Sequence, residues 1–403
     1  MIFLSCYVPQ ERIEQTSAQM KVQTSNAVNR FQWSLLEGFL ANGINNLNIL
    51  NALPVGSWPR HHRQLYLKRH ESTTPTGTYS EVPTINIPIL KQLSRYFVAM
   101  SYLRKHKDKE ILIYSTYLPF LAAATSKRFS RNTTLIVTDL PEYYDLTRNQ
   151  SSIRKAVRRV ISRMTYHYIE RVDRFVLLTQ EMHEVLKVGN RPYTIVEGIA
   201  PISLHDTVDN RTGDNQEKHD KTILLYSGSL TIRFGCLDLL KVLEAISDEN
   251  LELWICGSGE GEEMILEYQK RDSRLKYFGF LSVEEVMRLQ RMATILVNPR
   301  KPEGDYTKYS FPSKTMEYML SGKPVVMYKL PGIPDEYDEH LFYIPDDMPG
   351  AIGKTVASVL KMSTEELEAK SNAAKQFIIN RKDAAIQARK ILEIISYDRK
   401  GCI

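Results

Sequence analysis

The sequence predicts an α/β protein built as two doubly wound parallel-sheet domains. Three observations carry that prediction. Short apolar, β-branched runs alternate with amphipathic helical patterns, as strand–crossover–strand units do. The alternation halts at a polar stretch, 201–220, and then begins again. The length, 403 residues, suits two domains at about 100–200 residues each.

Taken in order, Ile2–Val8 reads as the first strand. Thr24–Leu40 follows as a helix, with Val28, Phe31, Leu35 and Leu36 at helical spacing. Leu47–Leu53 is the next strand. Ile111–Ser115 and Thr134–Thr138 are apolar runs bounded by polar turns, as strands buried on both faces require, and Phe175–Leu178 and Tyr193–Val196 repeat the pattern. The stretch 201–220 reads as a linker between domains 1–200 and 221–380, or as a long surface loop within one domain. Beyond it, strands are expected at Thr222–Tyr226, Leu251–Cys256, Leu275–Phe278, Ile295–Val297 and Pro324–Tyr328. Helices are expected between them at Leu237–Ile246, Glu260–Arg271, Val283–Met292 and Pro312–Leu320, with a last one near Asp383–Ile395 in the tail 381–403. Ligands of such sheets bind at the carboxyl ends of the strands, so a cleft there is the expected site.

Apolar residues at 43% and charged residues at 25% suit ordinary cores and argue against wholesale disorder. Cys6, Cys236, Cys256 and Cys402 stand far apart, without zinc-type spacing, and read as free thiols in a reducing compartment. The start, MIFLSCYVPQERIEQ, reads as a strand and not as a signal peptide. No run approaches the roughly 18 apolar residues of a spanning helix, so a cytoplasmic protein, at most peripheral on the inner membrane face, is expected. Residues 1–200 hold 26 Lys+Arg against 15 Asp+Glu, whereas 201–403 hold 27 against 32. A basic first half suits an acidic ligand or an anionic surface.

The most informative segment is Glu303–Val326. Ser310, Lys314, Glu317 and Ser321 fall on one helical stripe, while Met316, Met319 and Leu320 fall on the other. A helix start with free N–H groups and a lysine holds phosphate, and a carboxylate one turn on accepts from a ribose diol. The same spacing also describes a solvated polar face with a Lys314–Glu317 pair.

This segment resembles the donor-binding motif of the GT-B-fold retaining glycosyltransferases of family 4, in the branch found in bacterial capsule and exopolysaccharide clusters. Phe311, Glu317, Gly322 and Pro324–Val326 fall where that family places them. Tyr309 stands at the position of the family's first glutamate, eight before Glu317. The resemblance implies two Rossmann-like domains facing a cleft and a C-terminal helix crossing back to the first. It implies transfer of a hexose-like sugar from a nucleoside diphosphate sugar, UDP- or GDP-linked, to a glycan or polyprenyl-diphosphate-linked acceptor, with retention and without a metal. The sequence has no Asp-x-Asp triplet, which agrees.

Under the same resemblance, Tyr226–Ile246 supplies the phosphate turn, with Gly228, Ser229 and a relocated cation, Arg233. Gly257 in WICGSGE lies at the cleft, and Phe280 in YFGFL belongs to a loop that reads the base. Ser310, Phe311, Ser313 and Glu317 complete the donor site, with Lys314 and Arg233 stabilising the leaving diphosphate. In the first half, Asp139 ends a strand and orients the acceptor, or caps a turn; Asn26 opens a helix toward the acceptor, or caps it. Glu197 stands in a strand-end turn where the family has asparagine. Helix 152–172 is basic, with Ile153, Val157, Val160, Ile161, Met164 and Tyr168 on one side, and suits either a membrane surface or a core-packed face. Nucleic-acid binding is not expected, for want of a recognition element. The rival readings are a nucleotide-sugar epimerase and a non-catalytic scaffold, the latter favoured by Tyr309 and Ser229.

Overall fold

The computed structural model describes residues 1–20, 26–126, 132–141, 152–202, 221–345 and 350–397. It divides into two units, Met1–Ile202 with Asp383–Ile403, and Ser203–Lys382. Residues 203–220, most of the expected linker, lie outside the described residues.

The strands of the first unit are β1 (Ile2–Ser5), β2 (Leu47–Asn51), β3 (Tyr66–Leu67), β4 (Glu71–Thr74), β5 (Gly77–Glu81), β6 (Thr84–Ile85), β7 (Ile111–Tyr114), β8 (Thr133–Val137), β9 (Arg174–Leu177) and β10 (Tyr193–Ile195). Eight of them form one sheet in the order β10-β9-β8-β7-β1-β2-β5-β4, and β3 pairs with β6 in a separate antiparallel ribbon. All the pairings of the large sheet are parallel except β4 with β5. Strands β1, β7, β8 and β9 are buried at every position, which is why their sequences run apolar instead of alternating. Arg174 is the exception inside β9, and Glu110 matches its charge at 2.9 Å.

The helices of this unit are α1 (Ile13–Gln19), α2 (Asn26–Ala41), α3 (Pro88–Arg104), α4 (Leu118–Ala124), α5 (Ser152–Ile169) and α6 (Met182–Val185). Two buried cations of α3 reach the loop that follows β2. Arg95 donates to Leu53 O at 2.7 Å, to Thr84 Oγ1 at 3.1 Å and to the Tyr117 hydroxyl at 3.0 Å, and Lys91 donates to Val55 O. Burial, helped by the neighbouring Arg95 charge, pushes Lys91 down to about 7. Its ammonium keeps its proton to about 10.4 when unfolded. Between those values the unfolded chain binds the extra proton, so this group's contribution to stability rises with pH from about 7 upward. Comparing thermal midpoints at neutral and alkaline pH checks this: wild type gains relative to Lys91→Met as the pH rises.

Among the described residues, the middle of the basic helix's apolar stripe is open. In α5, Val157, Val160, Ile161 and Met164 are about half exposed, and the packed side is Thr165 and Ile169. At these four positions the core-packed alternative does not hold, whereas Tyr168 of the same stripe is half-buried.

The second unit holds β11 (Thr222–Ser227), β12 (Leu251–Cys256), β13 (Leu275–Tyr277), β14 (Ile295–Asn298), β15 (Val325–Tyr328) and β16 (Phe342–Ile344). All pair in parallel, in the order β13-β12-β11-β14-β15-β16. The order reverses between β11 and β14, so the crevice of this sheet opens at their carboxyl ends. Its helices are α7 (Leu240–Ala245), α8 (Glu262–Gln269), α9 (Val283–Met292), α10 (Ser313–Leu320), α11 (Ala351–Val359) and α12 (Thr364–Arg381). Reciprocal capping by Ser282 with Glu285 and by Ser363 with Glu366 starts α9 and α12. One expectation is corrected: Ser310 is extended and precedes α10, because the helix begins only after Pro312. Ser310 therefore shares no helical stripe with Lys314 and Glu317.

The last helix, α13 (Ala384–Tyr397), belongs to the first unit and packs on α2. A Cβ on Gly38 of α2 would lie 2.0 Å from Ala384 O, so only glycine permits this approach. Asn42 seals the contact by donating to Ala385 O at 2.7 Å.

Candidate functional site

Three turns meet at the carboxyl ends of β11, β12 and β13. Gly228 N donates to Cys256 O at 2.9 Å, Leu230 N to Ser258 O at 3.0 Å, and Gly261 N to Leu230 O at 2.9 Å. The first two turns touch backbone to backbone. Gly257 has φ +140°, and a Cβ there would sit 1.8 Å from Gly228 O. A Cβ on Gly228 would come within 2.8 Å of the Tyr226 hydroxyl, which donates to Ser229 O at 2.8 Å. Gly257 also receives the third turn: its N–H donates to Gly279 O, and its carbonyl accepts from the Tyr277 hydroxyl, each at 2.8 Å. Phe280 projects from that third turn, 61% exposed.

Beside these turns, α9 and α10 deliver a polar cluster to the end of β11. Lys314 Nζ and Gln290 Nε2 both donate to Glu317 Oε1, each at 2.8 Å. Each also reaches Ser227 Oγ at 3.4 Å. Tyr318, wholly buried, accepts from Ser227 N at 2.8 Å and donates to Ser227 O at 3.2 Å. Burial holds that phenol protonated, its pKa well above the ordinary value, so it stays a fixed peg between α10 and β11. The same burial pushes the Cys256 thiol up to about 11, which leaves it neutral.

Two arginines gather on the other side of the switch point. Arg300 follows β14, stacks on Phe234 (5.0 Å) and Tyr306 (5.3 Å), and donates to Ser310 Oγ at 3.0 Å. Its Nε is buried with no partner among the described residues, and burial lowers its pKa. Arg233 is exposed and lies 4.5 Å over the Tyr306 ring. Gly304, at φ +83°, lets the loop pass close to it: a Cβ there would sit 3.3 Å from Arg233 Nη2. One tyrosine ring therefore carries two guanidinium groups.

The structure thus brings together Gly228, Ser229, Gly257, Lys314 and Glu317 around the ends of β11 and β12, with Arg233 and Ser310 joined through the Tyr306–Arg300 stack. Ser313 is exposed at the start of α10, which has no side-chain cap. Phe311 turns inward, 7% exposed, and stacks on Tyr337 at 5.4 Å. Asp139, Asn26 and Glu197 lie in the other unit. Asp139 is exposed after β8, Glu197 is 3% exposed after β10, and Asn26 opens α2. Glu142 and Tyr143, next to Asp139, lie outside the described residues. Five site residues escaped the sequence reading: Ser227, Gln290, Arg300, Tyr306 and Tyr318. Gln290 alone left a signal, as a polar residue on the packed side of α9.

Residues 208–377 match the family model described as glycosyl transferases group 1. No curated protein matches the chain. Solved structures match along its whole length. Sucrose-phosphate synthase from Thermosynechococcus elongatus is 13% identical, with 99% of each chain covered and a TM-score of 0.66. An α,α-trehalose 6-phosphate synthase from Burkholderia multivorans is 9% identical, with 100% and 99% covered and a TM-score of 0.70. Anabaena HepE, solved in complex with UDP, is 14% identical, with 98% and 100% covered and a TM-score of 0.62. The fold is the GT-B type expected from the sequence, two Rossmann-like parallel-sheet units. The domain match and the fold together support a glycosyltransferase enzyme.

Proposed function

We propose that this protein transfers a sugar from a UDP- or GDP-linked donor, with retention and without a metal, to a glycan or polyprenyl-diphosphate-linked acceptor in surface polysaccharide synthesis. The observation that carries the donor part is the cluster of Lys314, Gln290 and Glu317 hinged on Ser227 at the end of β11. Such a carboxylate, held by two donors on one oxygen, is positioned to accept from a ribose diol. The turn that begins at Gly228 follows Ser227 directly, which sets its backbone beside the cluster, where phosphate would lie. The leaving diphosphate gains negative charge as the glycosidic bond breaks. Lys314 on one side, and Arg233 with Arg300 on the other, supply positive charge at fixed positions, which is where electrostatic catalysis gains most. A phosphate oxygen of the donor takes the acceptor proton, so no dedicated base is needed, and Asp139 orients the acceptor. Peripheral attachment at the inner membrane face, with α5 toward the lipid, fits a polyprenyl-linked acceptor.

A thermal-shift screen against UDP, GDP, ADP and CMP tests the donor site. One nucleoside diphosphate, at about a hundred times its dissociation constant, should stabilise the protein by roughly 2.7 kcal/mol. Glu317→Ala should abolish that shift at the same concentration. A wild type that answers to none of them overturns the donor assignment.

Arg300→Ala separates the diphosphate from the nucleoside. It should weaken binding of the diphosphate about tenfold, a loss of roughly 1.4 kcal/mol, while binding of the bare nucleoside hardly changes. Calorimetric titration of both ligands checks this. The scaffold reading rests on Tyr309 and Ser229, which depart from the family pattern. Donor turnover by the purified chain excludes it.

A further inference from the structure

The first unit has a switch point of its own. Its sheet order reverses between β1 and β7, so a crevice belongs at their carboxyl ends. The loop that leaves β1 there is held by side chains. Gln32 of α2 accepts from Cys6 N at 3.0 Å and donates to Cys6 O at 2.8 Å. Asn51 of β2 does the same for Tyr7, at 3.0 Å and 2.8 Å. Asn29 accepts from Val8 N at 3.0 Å, and Trp33 Nε1 donates to Val8 O at 3.1 Å. A loop whose every backbone N–H and C=O is fixed in this way is a preorganised wall. Across from it, β7 ends at Ser115, a residue with a side chain at φ +64°, and the chain then brings in Tyr117. Cys6 and Tyr117 are both half-buried.

Two cations converge on this place. Lys91 and Arg95, one turn apart on α3, are 7% and 3% exposed, and both act on the Cys6 thiol. Their hydrogen-bond partners are all neutral: Leu53 O, Thr84 Oγ1 and the Tyr117 hydroxyl for Arg95, and Val55 O for Lys91. Buried charges are ordinarily paired, and like charges one turn apart on a helix repel. Cys6 and Tyr117 offer no compensating charge, because burial holds each of them protonated. Arg95 uses three of its N–H groups and Lys91 one, so both retain N–H groups to give. Two such cations match the charge of one phosphate ester, whose terminal oxygens accept from both.

We propose that this crevice of the first unit binds a phosphate monoester, held by Lys91 and Arg95 beside the Cys6–Val8 loop. That the ester is carried by the sugar acceptor rests on the function proposed above: Asp139, which orients the acceptor there, follows β8, the strand next to β7.

Titration calorimetry with glycerol 1-phosphate near pH 8 is the experiment, in excess UDP and again without nucleotide. The ester is already a dianion at that pH, so a proton taken up on binding goes to the protein. Lys91, pushed down to about 7 by burial, is mostly neutral there and should gain about one proton as the anion binds. The groups facing it do not compete for that proton. Arg95 is a guanidinium, the Cys6 thiol is pushed up to about 12, and burial lowers His62 so that it stays neutral. Wild type should therefore show a binding heat that varies with the ionisation heat of the buffer. Lys91→Met should bind at least about tenfold more weakly and take up no proton. Lys91→Arg, which keeps the charge, should bind the ester and also take up none. Both variants should keep the circular dichroism and the nucleotide response of wild type. Glucose 1-phosphate and octyl phosphate then separate the sources: tighter binding of the first assigns a soluble sugar phosphate, and of the second a lipid-linked one. No binding by wild type, binding without proton uptake, or equal binding by Lys91→Met would overturn the proposal. A chain that answers to no nucleotide yet takes up the proton through Lys91 would sink the donor assignment and leave this site standing.

Discussion

Gly257→Ala is expected to destabilise the second unit by about 2–6 kcal/mol and to abolish nucleotide binding. Two costs add. A residue with a Cβ at φ +140° is strained by about 1–3 kcal/mol. The added methyl also meets Gly228 O at 1.8 Å, so one turn must move, and overpacking costs a further 1–3 kcal/mol. Neither neighbour can yield cheaply. Gly228 is tied to Cys256 O, and Gly257 itself is tied to the third turn through Gly279 O and the Tyr277 hydroxyl. Thermal unfolding and nucleotide titration of the variant check both parts. Gly43, also at positive φ but with open space around its Cβ position, is the control. Gly43→Ala should suffer the backbone strain alone, and nucleotide binding should survive.

Lys314→Met should lower donor turnover by about 10²-fold to 10³-fold, mostly in kcat, because one fixed positive charge facing a developing anion has that worth. The ground state already offers Lys314 a partner in Glu317 at 2.8 Å. Its full interaction with the diphosphate therefore belongs to the stage at which charge has accumulated. Gln290 remains bonded to Glu317 in the variant, so the ribose contact and the KM should change little. Release of nucleoside diphosphate from the donor named by the thermal-shift screen is the measurement. A loss confined to KM would make Lys314 a binding group only.

Much of the second sheet was legible because parallel strands buried on both faces leave unbroken apolar runs. Leu251–Cys256 and Val283–Met292 are expected and observed with the same bounds. The edges of both units were not legible. Strands β3 to β6 are short and half polar, and α3 faces outward with apolar residues, so no inward periodicity marks it. For the site, the sequence displays Lys314 and Glu317 within one helical turn. It does not display Ser227, Gln290 or Arg300, which join them only through the sheet order that puts β11 beside β14. Arg233 was legible as a cation. Its stacking partner Tyr306 lies 73 positions away, in a loop with no periodic pattern. Ser310 was misplaced because Pro312 delays the start of α10.

The seating of α13 on α2 has a consequence for synthesis. The α2 face that α13 covers belongs to a core holding Leu35, Phe39, Ile391 and Ile394, and it stays bare until Ala384–Tyr397 has left the ribosome. The unit that begins first therefore finishes last, and Ser203–Lys382 can close while its predecessor still waits for its lid. A chain that stops after Lys382 would then carry a closed Ser203–Lys382 unit beside an open first one, a substrate for chaperones and proteases.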